Sequence, residues 1–244
     1  MSNTVIIIPS RLKAERLPNK PLKLIRNKEM ILHVYDLAVK SKVGEVLLVT
    51  PDNEIAELIK KNGGNSFISK GNHETGTDRV FEAFKNYFSN NPRFIINLQG
   101  DMPSLDPKEI VFLSDYLNKG LCDMVTLAAP LKTNEVEDQN VVKVLTKQEM
   151  KKLTFSSAID FQRNIITDQS NFAYHHIGIY GFTNKALIKY VNLKRSKLEL
   201  ERNLEQMRVL DNNMKIHVGL ANSLPLSVDT EKDLQEIKQN MEKQ

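Results

Sequence analysis

Short apolar runs alternate with segments of helical periodicity in the first half of this chain, and that alternation restricts its fold. Apolar runs of strand length occupy residues 5–8, 46–49, 66–68, 94–98 and 124–129. Helical spacing of apolar side chains falls between them, at residues 30–42, 53–62, 77–88 and 107–117. Strands that alternate with helices of this length imply crossover connections and a mainly parallel sheet. We therefore predict an α/β fold whose helices flank the sheet.

The second half of the chain has a less regular pattern. Predicted strands occupy residues 141–145, 178–182 and 215–220. A charged helix is predicted at residues 198–210, and a last helix follows Asp229 and Thr230, either of which suits its N-cap position. No repeat, linker or low-complexity tract divides the chain. We predict a single domain over residues 1–244, with an inserted subdomain at roughly residues 130–210.

Bulk composition narrows the class of protein. A formal net charge of +4 over 244 residues is too small to indicate nucleic-acid binding by itself. The single cysteine, Cys122, excludes an intrachain disulfide and fits a reducing compartment. No apolar run approaches the roughly 20 residues of a transmembrane helix, and the first residues lack the pattern of a signal peptide. We expect a cytoplasmic protein that binds neither nucleic acid nor membrane.

The first predicted strand is followed by a long basic loop, residues 10–23, which we call the cation loop. It carries Arg11, Arg16 and Lys20, and its prolines restrict the backbone. Ligands of open α/β sheets bind at the carboxyl ends of the strands, where N–H groups and cations neutralise phosphate oxygens. The chain has neither a Walker loop nor a dinucleotide fingerprint. The cation loop is a candidate phosphate site, and an ordinary basic surface loop is the alternative.

Two aspartates, Asp101 in "QGD" and Asp229 in "SVDT", also follow predicted strands. A carboxylate at the end of a strand is often only a turn or helix cap. Mg²⁺ uses one or two protein carboxylates and takes its remaining ligands from phosphate and water. The residues alone leave both interpretations open, although the predicted sheet puts Asp101 and the cation loop at the same edge.

The stretch "IIIPSRLKAERLPNKPL" resembles the opening signature of the sugar-nucleotide cytidylyltransferases, and most closely that of the 3-deoxy-manno-octulosonate (KDO) cytidylyltransferase family. Further blocks that resemble this family follow in its order: "HETGTDRV", "INLQGDMP", "VVKVL", "HIGIYGF", "LELERNLEQMRVL", "KIHV" and "SVDTEKDL". Each block alone is moderately specific, but together they cover nearly the whole chain.

The resemblance implies a nucleotide-diphospho-sugar transferase-like fold with an inserted acceptor and dimerisation region. It also implies transfer of CMP from CTP to KDO with release of pyrophosphate, a Mg²⁺ cofactor, a homodimer and a role in lipopolysaccharide biosynthesis. Two alternatives stay open. One is a cytidylyltransferase for another sugar acid, sialic-type or modified KDO, and the other is a catalytically silent nucleotide-binding protein.

The same resemblance implies roles for individual residues. The positions that match the family's CTP-binding residues are Ser10, Arg11, Arg16, Lys20, Gly76, Thr77, Arg79 and Gln99. The catalytic positions are Lys20, Arg11, Asp101 and Asp229, and the two aspartates would hold the metal. The sugar-binding positions are Gln99, His176, Tyr180, Glu205 and Gln206. An ordinary arginine at the start of a helix is the alternative for Arg79. Glu205 and Gln206 are predicted on one helix, about 100° apart around its axis.

The chain departs from the family pattern in the acceptor half and after the second strand. Ser157 stands where the family has the arginine of F-S-R, and the segment that follows Arg163 is shorter than usual. Arg163 or His175 is a candidate for the missing cation, and the sequence does not decide between them. After the second strand the family's T-D is Thr50-Pro51, and Asp52 comes one place later.

Overall fold

The computed structural model describes residues 3–13, 16–165 and 172–242. The chain forms two compact units, which comprise Met1–Val111 with Pro225–Gln244 and Phe112–Leu224. The first unit is therefore built from both ends of the chain. The insertion predicted at roughly residues 130–210 falls within the second unit, and its assignment as an acceptor and dimerisation subdomain stays a prediction. Part of the shortened segment after Arg163 lies outside the described residues.

The first unit contains a parallel sheet and a small hairpin. The strands are β1 (Thr4–Pro9), β2 (Leu24–Ile25), β3 (Lys28–Glu29), β4 (Glu45–Thr50), β5 (Ser66–Ile68) and β6 (Phe94–Leu98). In the order β5-β4-β1-β6 each neighbouring pair is parallel, while β2 and β3 form the antiparallel hairpin. Ile6, Ile7 and Ile8 are fully buried. Because a parallel sheet of this kind is covered on both faces, β1 has a continuous apolar run rather than an alternating one.

Helices of the first half lie close to their predicted positions: α1 (Met30–Ser41), α2 (Asn53–Lys61), α3 (Gly76–Tyr87) and α4 (Pro107–Leu117). Their ends have local causes. Gly63 follows α2 with a φ of 77°, and the N–H groups of Gly63 and Gly64 donate to carbonyls of the last turn. Before α3, the Thr75 side chain accepts the Asp78 N–H, and the Asp78 side chain accepts the Thr75 N–H.

The second unit contains a mixed sheet. Its strands are β7 (Met124–Pro130), β8 (Lys143–Thr146), β9 (Phe155–Gln162), β10 (Ala173–Thr183) and β11 (Ile216–Leu220). In the order β10-β7-β11-β9-β8, the β7–β11 pair is parallel and the other pairs are antiparallel. β8 also pairs with the first residues of β10, so this strand order closes on itself. The parallel pattern of the first unit thus gives way to mainly antiparallel pairing, and the α/β class is confirmed.

The single charged helix predicted at residues 198–210 is wrong. The helices of this region are α5 (Asn184–Asn192), α6 (Lys197–Arg202) and α7 (Met207–Asp211). Asn203 ends α6 in the left-handed conformation, with a φ of 53°. Glu205 and Gln206 consequently lie in the turn between α6 and α7, and the predicted helical angle between them does not apply.

The sequence analysis did not predict one strand, β9, and one helix, α5, of the second unit. β9 reads "FSSAIDFQ", which lacks a regular alternation of apolar and polar residues. α5 has nine residues, as many as α2, and its buried residues Ala186, Leu187 and Tyr190 have the same helical spacing as those of α2, so a signal for this helix was present. β9, in contrast, depends on its pairing with β8 and β11.

The last helix, α8 (Glu231–Glu242), closes the core of the first unit. Buried residues of one apolar cluster come from the cation loop, the hairpin and both ends of the chain: Leu17, Ile25, Met30, Val228, Leu234 and Ile237. Leu17 is the apolar anchor of the cation loop in this cluster. No helix among the described residues combines the length and apolar character needed to cross a membrane.

Candidate active site

Lys20, Asp101 and Asp229 meet at one point of the first unit. Lys20 lies in the short 3-10 turn Lys20–Leu22, and its Nζ donates to Asp101 Oδ2 at 3.2 Å and to Asp229 Oδ1 at 3.0 Å. The two aspartates are 128 residues apart, yet the Val228 N–H donates to the Asp101 carbonyl at 2.9 Å and keeps their backbones adjacent. The structure therefore brings together residues that the resemblance assigned to catalysis.

Arg16 extends this cluster from the same loop. Its Nη2 lies 3.1 Å from Asp229 Oδ2, so the Asp229 carboxylate contacts a different cation with each oxygen. The Arg16 side chain is 56% exposed, whereas the Lys20 side chain is 16% exposed. Solvent screens the outer ion pair, and Lys20 is the better-shielded charge.

Burial and charge oppose each other at this cluster. Burial lowers the pKa of Lys20, but the carboxylates of Asp101 and Asp229 outweigh that effect and leave the pKa above its ordinary value. Burial raises the pKa of Asp229, but Lys20 and Arg16 outweigh it and leave that pKa below its ordinary value. Lysine and aspartate are therefore both charged near neutral pH.

Local structure frees the Asp229 carboxylate for this contact. Thr230, not Asp229, caps α8: its Oγ1 accepts the Asp233 N–H at 3.3 Å, and the Asp233 carboxylate accepts the Thr230 N–H at 2.8 Å. The Asp233 carboxylate also accepts the Asp229 N–H at 3.0 Å. This capping box fixes the Asp229 backbone while its side chain faces Lys20.

The paired aspartates suit a hard cation. No group of three or more His, Cys, Asp and Glu side chains in the described ranges is arranged to hold a metal ion. Asp101 and Asp229 nevertheless aim one oxygen each at the same Lys20 ammonium, so their oxygens converge. Mg²⁺ needs only one or two protein carboxylates when phosphate and water complete its shell. The donor set fits Mg²⁺, and the metal role stays a prediction.

The start of the cation loop is held at the carboxyl end of β1. Ser10 is buried, and its N–H donates to the Val49 carbonyl at 2.9 Å, which extends the β1–β4 pairing by one residue. Arg11 is exposed directly after it. Both predicted CTP-binding residues thus lie at the strand edge where ligands of open α/β sheets bind.

A chain of amide and hydroxyl groups connects the other predicted CTP-binding residues. Asn97 Nδ2 donates to Thr77 Oγ1 at 3.2 Å, and Gln99 Nε2 donates to Asn97 Oδ1 at 2.7 Å. Asn97 is fully buried on β6. A Cβ added at Gly76 would lie 3.6 Å from Gln99 Oε1, so a glycine at the start of α3 leaves room beside this amide. Arg79 is also buried, one turn into α3.

Asn97 is a residue that the sequence analysis missed. The available signal is a polar residue inside the apolar run of "FIINL". Such a residue needs a hydrogen-bond partner when it is buried. The partners, Thr77 and Gln99, are both predicted site residues, and only the tertiary structure connects them.

His176 lies in the second unit, on β10. Its Nε2 is 3.0 Å from Thr126 Oγ1, and the Thr126 hydroxyl is 2.7 Å from the Ile179 carbonyl. Because the hydroxyl has one hydrogen to donate to that carbonyl, we infer that His176 carries its proton on Nε2 and donates to Thr126. Burial, together with His175, lowers the pKa of His176 to about 3. The imidazole is neutral at physiological pH.

The turn between α6 and α7 brings a second group of predicted sugar-binding residues together. Tyr180 OH lies 3.4 Å from Gln206 Oε1, and Tyr190 OH lies 3.4 Å from the Glu205 carbonyl. The Tyr180 ring is 5.6 Å from that of His176. His176, Tyr180 and Gln206 therefore form one neighbourhood, and Glu205 is adjacent to it along the chain.

A buried ion pair brackets this turn. Arg208 donates to both oxygens of Glu199, at 2.7 and 2.6 Å, and its guanidinium lies 4.3 Å from the centre of the Tyr190 ring. Glu199 and Arg208 are both buried. Because a bidentate pair has a fixed geometry, it holds the ends of the turn at a set distance.

The candidates for the missing acceptor cation both have protein partners. Arg163 Nη1 donates to the Gln139 and Asn140 carbonyls at 3.0 and 3.3 Å. His175 Nδ1 lies 3.1 Å from a Glu135 oxygen. Ser157 is on β9, paired with β11. These contacts do not decide between Arg163 and His175, so the replacement for the family arginine stays a hypothesis.

Comparison with known proteins gives the class of this chain. A family described as cytidylyltransferase matches residues 5–216. A solved structure of CMP:2-keto-3-deoxy-manno-octonic acid synthetase complexed with CTP has a TM-score of 0.88, 29% sequence identity and 99% coverage of both chains. The α/β fold is accordingly that of a nucleotidyltransferase.

Curated relatives narrow this class. The 3-deoxy-manno-octulosonate cytidylyltransferase of Rickettsia canadensis is 39% identical over 235 residues, which are 96% of this chain and 94% of the relative. The protein of the same name from Bartonella tribocorum is 37% identical over 238 residues, 96% of each chain. The chain belongs to the cytidylyltransferase family, among the 3-deoxy-manno-octulosonate cytidylyltransferases.

Proposed function

We propose that this protein transfers CMP from CTP to KDO, releasing pyrophosphate and giving CMP-KDO. The observation that carries the proposal is the contact of Lys20 with both Asp101 and Asp229 at the edge of a parallel sheet. Family membership, with named relatives that match the chain over 96% of its length, supports CTP and KDO as the substrates.

The reaction is an in-line displacement at phosphorus. The anomeric hydroxyl of the sugar acid forms a bond to the α-phosphorus and loses its proton, while the bond from that phosphorus to the bridging oxygen of pyrophosphate breaks. Negative charge grows on the leaving pyrophosphate, so fixed cations near it stabilise the transition state. We assign this role to Lys20 and Arg11, with Arg16 as a further cation of the same loop.

Asp101 and Asp229 would hold Mg²⁺, which supplies a Lewis acid for the phosphate oxygens when it is bound. In the chain itself, Lys20 offsets part of the charge of the two carboxylates and keeps them within reach of one another. The elevated pKa of Lys20 keeps this cation charged through the neutral range. The carboxylates are thereby ordered before any substrate binds, which reduces the entropy lost on binding.

The hydrogen-bonded chain from Thr77 through Asn97 to Gln99 supports nucleotide recognition. Each of its hydrogen bonds restricts the rotation of a polar side chain that would otherwise sample several orientations. We assign Ser10, Gly76, Thr77, Arg79 and Gln99 to CTP. The further role of Gln99 toward the sugar rests on the resemblance.

The acceptor residues of the second unit are His176, Tyr180, Glu205 and Gln206. A neutral His176 suits hydrogen bonding to sugar hydroxyls, because it adds no charge to a buried environment. It does not serve as the counterion of the sugar carboxylate. The sugar carboxylate needs a cation, and Ser157 does not supply one. Arg163 or His175 is therefore a better candidate for this role than His176.

The pathway, the compartment and the oligomeric state are part of the same proposal. A product of this kind is used in lipopolysaccharide biosynthesis, and the protein would act in the cytoplasm as a homodimer, as the family resemblance implies. The pathway has its own test, because loss of the enzyme in cells should deplete CMP-KDO and the lipopolysaccharide that contains KDO. Size measurement in solution tests the dimer separately.

Pyrophosphate release measures the proposed function directly. The purified protein with CTP and Mg²⁺ should release pyrophosphate with KDO and much less with sialic-type acids. Ser157, which replaces a family arginine, and the shortened segment after Arg163 are the observations that favour another sugar acid. Faster turnover of a different acid would identify that acid as the substrate, and CTP binding without any pyrophosphate would indicate a silent nucleotide-binding protein.

A further inference from the structure

Asp52 makes an unusual contact for a residue at the start of a helix. It occupies the N-cap position of α2, but its side chain makes no capping hydrogen bond there. Asp52 Oδ2 instead accepts the backbone N–H of Leu12 at 2.7 Å, across 40 residues of sequence. An aspartate at this position ordinarily satisfies an N–H group of its own helix. The side chain is therefore used to hold the cation loop.

Neighbouring groups orient the Asp52 carboxylate toward the loop. The Asp52 N–H donates to Thr50 Oγ1 at 3.1 Å, and the Thr50 hydroxyl lies 3.5 Å from Asp52 Oδ2. Thr50 is fully buried at the end of β4. A side chain that is hydrogen-bonded to a rigid strand end has few alternative orientations. The Asp52 carboxylate is therefore held in place where it accepts the Leu12 N–H.

Both backbone polar groups of Leu12, in the cation loop, form hydrogen bonds. Its N–H donates to Asp52, and its carbonyl accepts the Asn19 N–H at 3.3 Å. Between the sheet bond of Ser10 and Leu12 lies a single residue, Arg11. The backbone on both sides of Arg11 is consequently attached to the sheet edge.

We propose that Asp52 is a positioning residue, which holds Leu12 and thereby fixes the direction of Arg11 toward the CTP phosphates. The inference rests on the proposed function only for the identity of the ligand, since the contact itself belongs to the protein alone. A hydrogen bond to a charged acceptor is about twice as strong as one between neutral groups. The carboxylate of Asp52 thus offsets the tendency of a long, charged loop to sample other conformations.

The contact involves a position at which the chain departs from the family pattern. At the end of β4 this chain has Thr50-Pro51-Asp52, and the family has T-D directly after the corresponding strand. Pro51 stands where the family has its aspartate, and the Asp52 carboxylate, one place later, reaches both Thr50 and Leu12. The loop is therefore attached by the aspartate at position 52, although position 51 is a proline.

Three variants test this inference: Asp52→Ala, Asp52→Asn and the control Glu54→Ala. Glu54 is an exposed carboxylate in the first turn of the same helix, so its removal changes the same local charge without touching Leu12. Asparagine keeps an acceptor oxygen and loses the charge. Circular dichroism establishes that each variant is folded.

The first readout is amide hydrogen exchange at Leu12, measured by NMR without ligand. Exchange should accelerate by about 10-fold or more in Asp52→Ala, less in Asp52→Asn, and remain as in the wild type in Glu54→Ala. Unchanged exchange in Asp52→Ala overturns the attachment. This measurement does not depend on the protein being an enzyme.

The second readout is CTP binding by calorimetry, with kinetics alongside. CTP affinity should fall by about 10-fold in Asp52→Ala, with the KM for KDO unchanged, and Asp52→Asn should recover part of the loss. Faster Leu12 exchange with unchanged CTP affinity overturns the positioning role. If the wild type releases no pyrophosphate, the proposed function fails, while exchange and CTP affinity still decide the role of Asp52.

Discussion

The candidate residues of the two units differ in how they would bind a polar ligand. In the first, charged groups of both signs converge, and Lys20 contacts two partly exposed carboxylates. In the second, the buried candidates His176 and Gln206 carry no charge, and His176 cannot gain a proton until the pH approaches about 3. Fixed charges suit phosphate, whose charge changes during transfer, whereas neutral hydrogen bonds suit hydroxyls. The comparison suggests that catalysis depends on the first unit and acceptor choice on the second.

Removing one carboxylate of the first unit should have the largest effect. Asp101→Asn and Asp229→Asn should each reduce kcat by about 10²–10³-fold or more, because each removes charge from the proposed metal position. If both act through one ion, the double variant should lose far less than the product of the single losses. Pyrophosphate release measures all three.

Asp36→Asn is the matched control, since Asp36 also pairs with a lysine, Lys28, in the first unit. Its kcat should match the wild type. Chelator should stop the wild-type enzyme, and Mg²⁺ should restore it. Losses that multiply fully, or activity that persists in chelator, would contradict a shared metal.

Lys20→Ala should reduce kcat by about 10²-fold, which is the cost of one lost charge-stabilising donor. Removal of Lys20 also leaves the two carboxylates without their shared cation, so the Asp229 carboxyl should titrate at a higher pH than in the wild type. Kinetics and NMR titration measure the two effects. Lys28→Ala serves as the control, and normal turnover in folded Lys20→Ala would remove this lysine from the reaction.

In the second unit, replacement of Glu205 or Gln206 by alanine should raise the KM for KDO by about 10-fold and leave CTP affinity nearly unchanged. The reason is that Gln206 contacts Tyr180 in the predicted acceptor neighbourhood. Glu201→Ala is the control, because Glu201 is an exposed glutamate on α6. Equal losses for both substrates would indicate that the turn has a structural role only.

The remaining prediction concerns the dependence of stability on pH and no change in activity. His176 stays neutral in the folded protein down to about pH 3, while the unfolded chain protonates it near its ordinary pKa of 6.5. The unfolded state binds more protons between these values, so stability falls as the pH falls through this interval, by up to about 1.4 kcal/mol per pH unit. The free energy of unfolding, measured with urea at several values between pH 4.5 and 7, should depend less steeply on pH in His176→Gln than in the wild type. An equal pH dependence in both proteins would mean that His176 has the same pKa in the folded and unfolded states.

Local pattern accounts for most of the first unit. The runs of β1, β4 and β6 are apolar because both faces of the sheet are covered, and the ends of α2 and α3 follow from Gly63-Gly64 and from the Thr75–Asp78 pair. The second unit resists this approach. β9 exists through antiparallel pairing with distant strands, and one left-handed residue, Asn203, divides what looks like a single helix.

The sequence by itself determined the class of fold, the basic character of the cation loop and the set of candidate residues, because these follow from local periodicity, from composition and from motif blocks in order. The tertiary structure alone decided which of them meet. Lys20 contacts aspartates 81 and 209 residues away, Asn97 connects Thr77 to Gln99, and Asp52 holds Leu12. Such contacts depend on how sheet and helices place distant residues side by side, and no local pattern encodes the distance between two side chains.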